Sequence, residues 1–148
     1  RVANVGELIQ RYDESGTRTM ILQQVIETDK QYHCVVIGRE KTLLMPFSME
    51  TNHYLGVDDH LDKNQAEKMT ETALKIADVY GYDINMTEFA LLGEELYLIN
   101  ATNPSPLVSR DLMTETQFDW LCNEIADLAA RRAANPPTMK FPVKYSID

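Results

Sequence analysis

Basic charge, cysteine and long apolar runs are what this sequence has little of. Lysine and arginine number 14 against 23 aspartate and glutamate, a formal net charge of −9. That balance excludes a general nucleic-acid binder, whose phosphate contacts need a basic face, so any phosphate must be met at a local site. No apolar run approaches the roughly 18 residues of a membrane span. Only Cys34 and Cys122 are cysteine. They fall in an apolar strand run and an amphipathic stripe, where buried small side chains are expected, and form neither a disulfide framework nor a metal spacing. A reducing compartment, the cytoplasm, is expected. No initiator methionine, signal peptide or targeting pattern precedes Arg1, so the chain reads as a mature product, a trimmed chain or a fragment. Repeats and low-complexity segments are absent, and 148 residues amount to one domain.

The polar interruptions of one hairpin stand out. Residues 83–106 carry two apolar runs around Gly93-Glu94-Glu95, broken by Glu88 in the first run and by Asn100, Thr102 and Asn103 in the second. A three-residue loop at 93–95 sets Glu88 opposite Asn100, Phe89 opposite Ile99 and Leu91 opposite Tyr97, giving one apolar and one polar face. A two-residue loop would set Glu88 opposite Ile99 and leave neither face clean, so the first register is preferred. A carboxylate beside an amide oxygen suits a hard cation such as Mg²⁺, completed by phosphates and water.

In chain order, Asn4 with Glu7 caps a first helix that Gly16 ends, its apolar face being Leu8, Ile9 and Tyr12. Strands are expected at 20–26, 32–37 and 42–47, a meander with a turn at 38–41. Residues 48–60, with His53, Tyr54 and His60, have no period and read as a loop; the two histidines lack a third zinc ligand. From 62 to 80 the period becomes 3.6, with Ala66, Met69, Ala73, Ile76, Ala77 and Tyr80 on one face, Asp62 and Gln65 as capping box and Gly81 as stop. Thr114 and Gln117 cap a last helix striped by Phe118, Leu121, Cys122, Ile125, Leu128 and Ala129 to about 134, and an extended tail follows Asn135-Pro136-Pro137. The seven methionines read as core filling, Arg39 and Lys41 as solvated edge residues, and Arg110 as a surface ion pair or a carboxylate contact. The order α-βββ-α-ββ-α implies an α+β fold, a mostly antiparallel sheet with helices on one face and the other free for a ligand.

Five pieces in this order and spacing resemble the C-terminal part of the ATP-grasp superfamily of carboxylate-amine ligases: Gln-Gln-Val-Ile at 23–26, Tyr-His-Cys-Val-Val-Ile-Gly-Arg at 32–39, Tyr-Gly-Tyr-Asp at 80–83, Met-Thr-Glu-Phe-Ala at 86–90 and Tyr-Leu-Ile-Asn-Ala-Thr-Asn-Pro-Ser-Pro at 97–106. The resemblance implies residues 1–19 as a short helical remnant of a lid or neighbouring lobe, 20–134 as the ATP-grasp C-terminal subdomain and 135–148 as an extended tail. It implies ATP and Mg²⁺ as cofactors, and phosphorylation of a small-molecule or peptide carboxylate to an acyl phosphate that an amine then attacks. Gln24, Val25 and Ile26 would present backbone to adenine, Asp29 or Gln31 would meet the ribose, and His33 would face phosphate. Glu88, Asn100 and Asn103 would be the metal ligands. Two departures matter. Asn100 stands where the family usually has a carboxylate, and His33 where many relatives have arginine, which weakens metal and phosphate binding. The family's N-terminal lobe and phosphate-binding lysine have no counterpart, so this chain alone is expected to be inactive; self-association is open. A degenerate, non-catalytic nucleotide sensor or protein-interaction domain is the alternative.

Overall fold

A computed structural model describes residues 1–58 and 61–136; His60 and the expected tail beyond 136 lie outside them. The elements are α1 (Val5–Ser15), β1 (Gln31–Ile37), β2 (Lys41–Ser48), β3 (His53–Tyr54), α2 (Lys63–Tyr80), β4 (Ile84–Leu92), β5 (Glu95–Asn103) and α3 (Glu115–Ala134). The fold is α+β: one five-stranded sheet in the order β3-β2-β1-β4-β5, with every pairing antiparallel. None of the helices among the described residues is long and apolar enough to cross a membrane.

Local chemistry places the helix ends where the sequence does. Asn4 accepts the Glu7 amide on its side chain, Asp62 accepts those of Asn64 and Gln65, and Thr114 forms a reciprocal capping box with Gln117. Gly81 closes α2 at φ 70, a left-handed conformation that favours glycine.

The strand expected at 20–26 is not formed. Met20, Ile21, Leu22 and Val25 are exposed, and Gln23 reaches the sheet, donating from Nε2 to the Ile99 carbonyl at 2.9 Å. The run does not alternate, and apart from the Gln23 bond it forms no ladder with the β5 edge; a strand without a ladder gains no such bonds. The third strand of the expected order is instead β3, inside the segment read as a loop. Asn52, at φ 57, turns the chain so that Ser48 and Phe47 pair with His53 and Tyr54.

Helices cover both faces of the sheet, not one. Tyr32, Cys34 and Val36 of β1 pack with Met69, Ala73 and Ala77 of α2, together with Phe89 and Leu91. Val35 and Ile37, pointing the other way, pack with Met45, Met86, Leu121 and Leu128, the last two from α3. β1 is the central strand and is buried at every position after its first. The physical reason for two covered faces stands in that strand: an unalternating apolar run needs burial on both sides. Cys34 is buried as expected, whereas Cys122 on α3 is exposed. Met45, Met69, Met86 and Met113 fill the core, but Met20 and Met49 face solvent.

α3 is bonded to the sheet side near both of its ends. Gln117 Nε2 donates to the Leu55 carbonyl at 2.6 Å, Arg131 pairs with Glu40 at 2.5 Å, and Arg132 grips Asp83 beside the β1–β2 turn. Arg39 also pairs with Asp83, at 3.6 Å. Glu88, on the same face as Met86, stays half-buried.

Candidate functional site

The β4–β5 hairpin is built with two slips in its ladder. Its loop has two residues, not three: Leu92 pairs with Glu95, Leu91 with Leu96, Ala90 with Tyr97 and Phe89 with Leu98. Gly93, first in the loop, has φ 62, which a two-residue primed turn requires at that position. Continued unbroken, this register would set Glu88 opposite Ile99. A bulge intervenes: Ile99 is left without a β4 partner, and Glu88 faces Asn100. A second slip follows, so that Met86 faces Asn103. The expected pairing of Glu88 with Asn100 therefore holds, whereas the expected partners of Phe89 and Leu91 are each off by one residue.

Directly opposed residues share a face, and so do residues two apart on a strand. Glu88, Asn100 and Asn103 thus face one way, with Asn103 about 7 Å along the strand from the other two. Asn100 Nδ2 donates to Glu88 Oε1 at 3.1 Å. On the neighbouring strand His33 stands opposite Glu88. Its ring stacks on Phe47 at 4.4 Å and 16°, and its Nδ1 lies 3.4 Å from the Tyr54 hydroxyl. That hydroxyl is also 3.5 Å from Met86 Sδ and from the Leu107 carbonyl.

Electrostatics follow burial. Desolvation pushes the Glu88 carboxyl above its ordinary range, and the Asn100 bond pulls partly back. Desolvation lowers His33 to about 4, leaving a neutral imidazole at physiological pH. Tyr54 is pushed up to about 12, by burial first and the Glu88 charge second. The site therefore offers a reluctant carboxylate, two amides, a neutral imidazole and a protonated phenol. Among the described residues no three His, Cys, Asp or Glu side chains gather as metal ligands. The oxygen donors are one carboxylate and two amides, a set that suits a hard cation arriving with its own phosphate ligands. The Asn100 amide now turns its nitrogen to Glu88, and a half-turn would present its oxygen instead.

The other expected contacts are more scattered. Gln31 shares the His33 face one strand step away. Asp29 is exposed and lines a shallow 550 Å³ depression with Thr28, Lys30, Leu92 and Gly93. Thr28 Oγ1 ties that segment to the Leu91 carbonyl at 2.6 Å. Gln24 and Val25 instead line an apolar groove of about 1060 Å³ against α1, while the Ile26 carbonyl accepts the Thr28 amide at 2.9 Å. Arg110 sits over the Phe118 ring and 4.0 Å from both Glu115 and Asp119, the surface ion-pair alternative.

Sequence reasoning passed over Tyr54 and Phe47, which wall the site, and Asn85 and Thr87 behind it. Asn52 before His53-Tyr54 was the available signal, since asparagine tolerates the left-handed turn that makes a hairpin. Comparison with protein-family models, curated proteins and solved structures finds no match.

Proposed function

We propose that this chain is the C-terminal, ATP- and Mg²⁺-binding part of an ATP-grasp ligase that activates a carboxylate for attack by an amine. The observation that carries the reading is the meeting of Glu88 with Asn100 on the face that Asn103 and His33 share. In this reading the Glu88 carboxylate and the Asn100 and Asn103 amide oxygens hold Mg²⁺. A Mg²⁺ ion held by these residues would supply charge neutralisation to a phosphate. His33, neutral, meets phosphate as a hydrogen-bond partner and not as a cation. Phe47 stacks on His33, and Tyr54 lies near enough to feel the Glu88 charge. Asp29 lies level with Leu92, four residues or about 13 Å along β4 from Glu88, a separation comparable with an extended nucleoside triphosphate.

Titration of the full chain with Mn²⁺ in the presence of ADP, followed by electron paramagnetic resonance, tests the reading. Saturable Mn²⁺ binding that Glu88→Gln weakens about tenfold or more is expected. No binding, or equal binding by the variant, overturns it.

The Asn100 bond to Glu88 also favours a second reading, a non-catalytic relative in which the amide satisfies the carboxylate internally. Asn100→Asp would then restore tight Mn²⁺ binding, while a longer polypeptide carrying the wild-type residue would release no ADP with any carboxylate. Turnover by that longer polypeptide removes this alternative.

A further inference from the structure

Asn85 and Thr87 are fully buried polar residues on the face opposite Glu88. Asn85 Nδ2 donates to the Ala101 carbonyl at 3.2 Å and lies 3.2 Å from Thr87 Oγ1. Thr87 Oγ1 donates to the same carbonyl at 3.1 Å, and the Asn103 amide donates to Asn85 Oδ1 at 2.9 Å. All four bonds fall where the β4–β5 ladder slips for the second time.

A slip leaves backbone groups facing nothing, and a buried backbone group without a partner costs about as much as a lost hydrogen bond. An asparagine side chain is a peptide group in miniature, with an acceptor and two donors, and here it takes the place of the missing strand partner. The consequence reaches the other face. Were Glu88–Asn100 pairing continued without a slip, Met86 would face Thr102 and Asn103 would turn toward α2. The extra residue turns Asn103 onto the Glu88 face instead.

We propose that Asn85 and Thr87 are positioning residues for the metal site, holding the slipped register that sets Asn103 beside Glu88 and Asn100. The inference rests on the metal-site reading above. It is not a requirement of packing, since an apolar pair of similar volume would satisfy that face more simply if the ladder ran unbroken.

Mn²⁺ titration with ADP and metal-free ADP titration of Thr87→Val, Asn103→Ala and the double variant test it. Thr87→Val is expected to weaken Mn²⁺ binding about tenfold, the effect typical of residues that orient ligands. Metal-free ADP binding should stay within about twofold, and Thr87→Val should add nothing once Asn103 is alanine. Thr87→Ser keeps the hydroxyl and should bind Mn²⁺ like wild type, which guards against reading a misfolded valine variant as loss of positioning. Unchanged Mn²⁺ binding by Thr87→Val, equal losses with and without metal, or additive losses in the double variant overturn the inference while leaving the metal site standing. Absence of Mn²⁺ binding by wild type removes both.

Discussion

Glu88 and His33 are held in forms that burial selects, and their pH responses run in opposite directions. A carboxyl whose folded pKa is raised stabilises the fold while protonated, and that contribution is lost as pH rises through the folded pKa. Glu88→Gln keeps an acceptor for Asn100 and removes the buried charge. Its melting temperature should match wild type near pH 4 and exceed it by roughly 1–3 °C at pH 7. His33 behaves inversely. With its pKa lowered to about 4, it contributes stability above about 6.5, lost as pH falls toward 4. His33→Phe, which can keep the stack on Phe47, should flatten that acid limb. Circular-dichroism melts across pH 4 to 8 check both expectations, and a Glu88→Gln variant less stable at pH 7 would contradict the first. A solvent-facing strand glutamate would not carry that cost.

Each helix illustrates how far a periodic pattern reaches. The stripe on α2 was legible in full outline, and its Met69, Ala73 and Ala77 are completely buried. Tyr80, placed on the same stripe, is exposed and stacks on Tyr82 instead. α1 has equally good caps and a clear apolar face, yet it buries nothing: Ile9 and Tyr12 are 56 % and 68 % exposed. Caps set where a helix starts, and packing sets what it contributes. Met69→Ala should therefore cost about 2–5 kcal/mol. Leu8→Ala should cost less than about 0.5 kcal/mol in the same urea titration. A large loss from Leu8→Ala would mean that α1 is covered in solution.

Charge acts on the molecule as a whole. A net −9 repels an anionic nucleotide, so on the proposed reading the attraction would have to come from the metal and from local dipoles. Salt screens that repulsion. Affinity for ADP with Mn²⁺ should therefore stay level or rise as KCl goes from about 50 to about 200 mM. A steep fall in calorimetric affinity over that range would instead indicate a basic phosphate cradle. α2 packs on one face of the sheet, and α3, clamped by Arg131 and Arg132 near the β1–β2 turn, packs on the other, where Glu88 stays half-buried.

The residues alone determine what is local. Helix caps, most of the 3.6-residue stripes, the β1–β2 hairpin and the polar breaks at Glu88 and Asn100 are written in spacings of a few residues and are found in place, whereas the stripe members Tyr80, Cys122 and Ala129 are exposed. Tertiary structure decided the rest. Whether the strand-like run at 20–26 joins the sheet depends on ladder bonds to the β5 edge, and whether β1 is covered once or twice depends on where α3 returns. The pairing of Glu88 with Asn100 was reached through a loop one residue too long, and a bulge at Ile99 supplies the difference. A slip of one residue leaves composition and period untouched, yet it reverses the face of every side chain beyond it. What holds such a slip is bonding across strands, here the Asn85 and Thr87 contacts to β5, which no run of neighbouring residues can display.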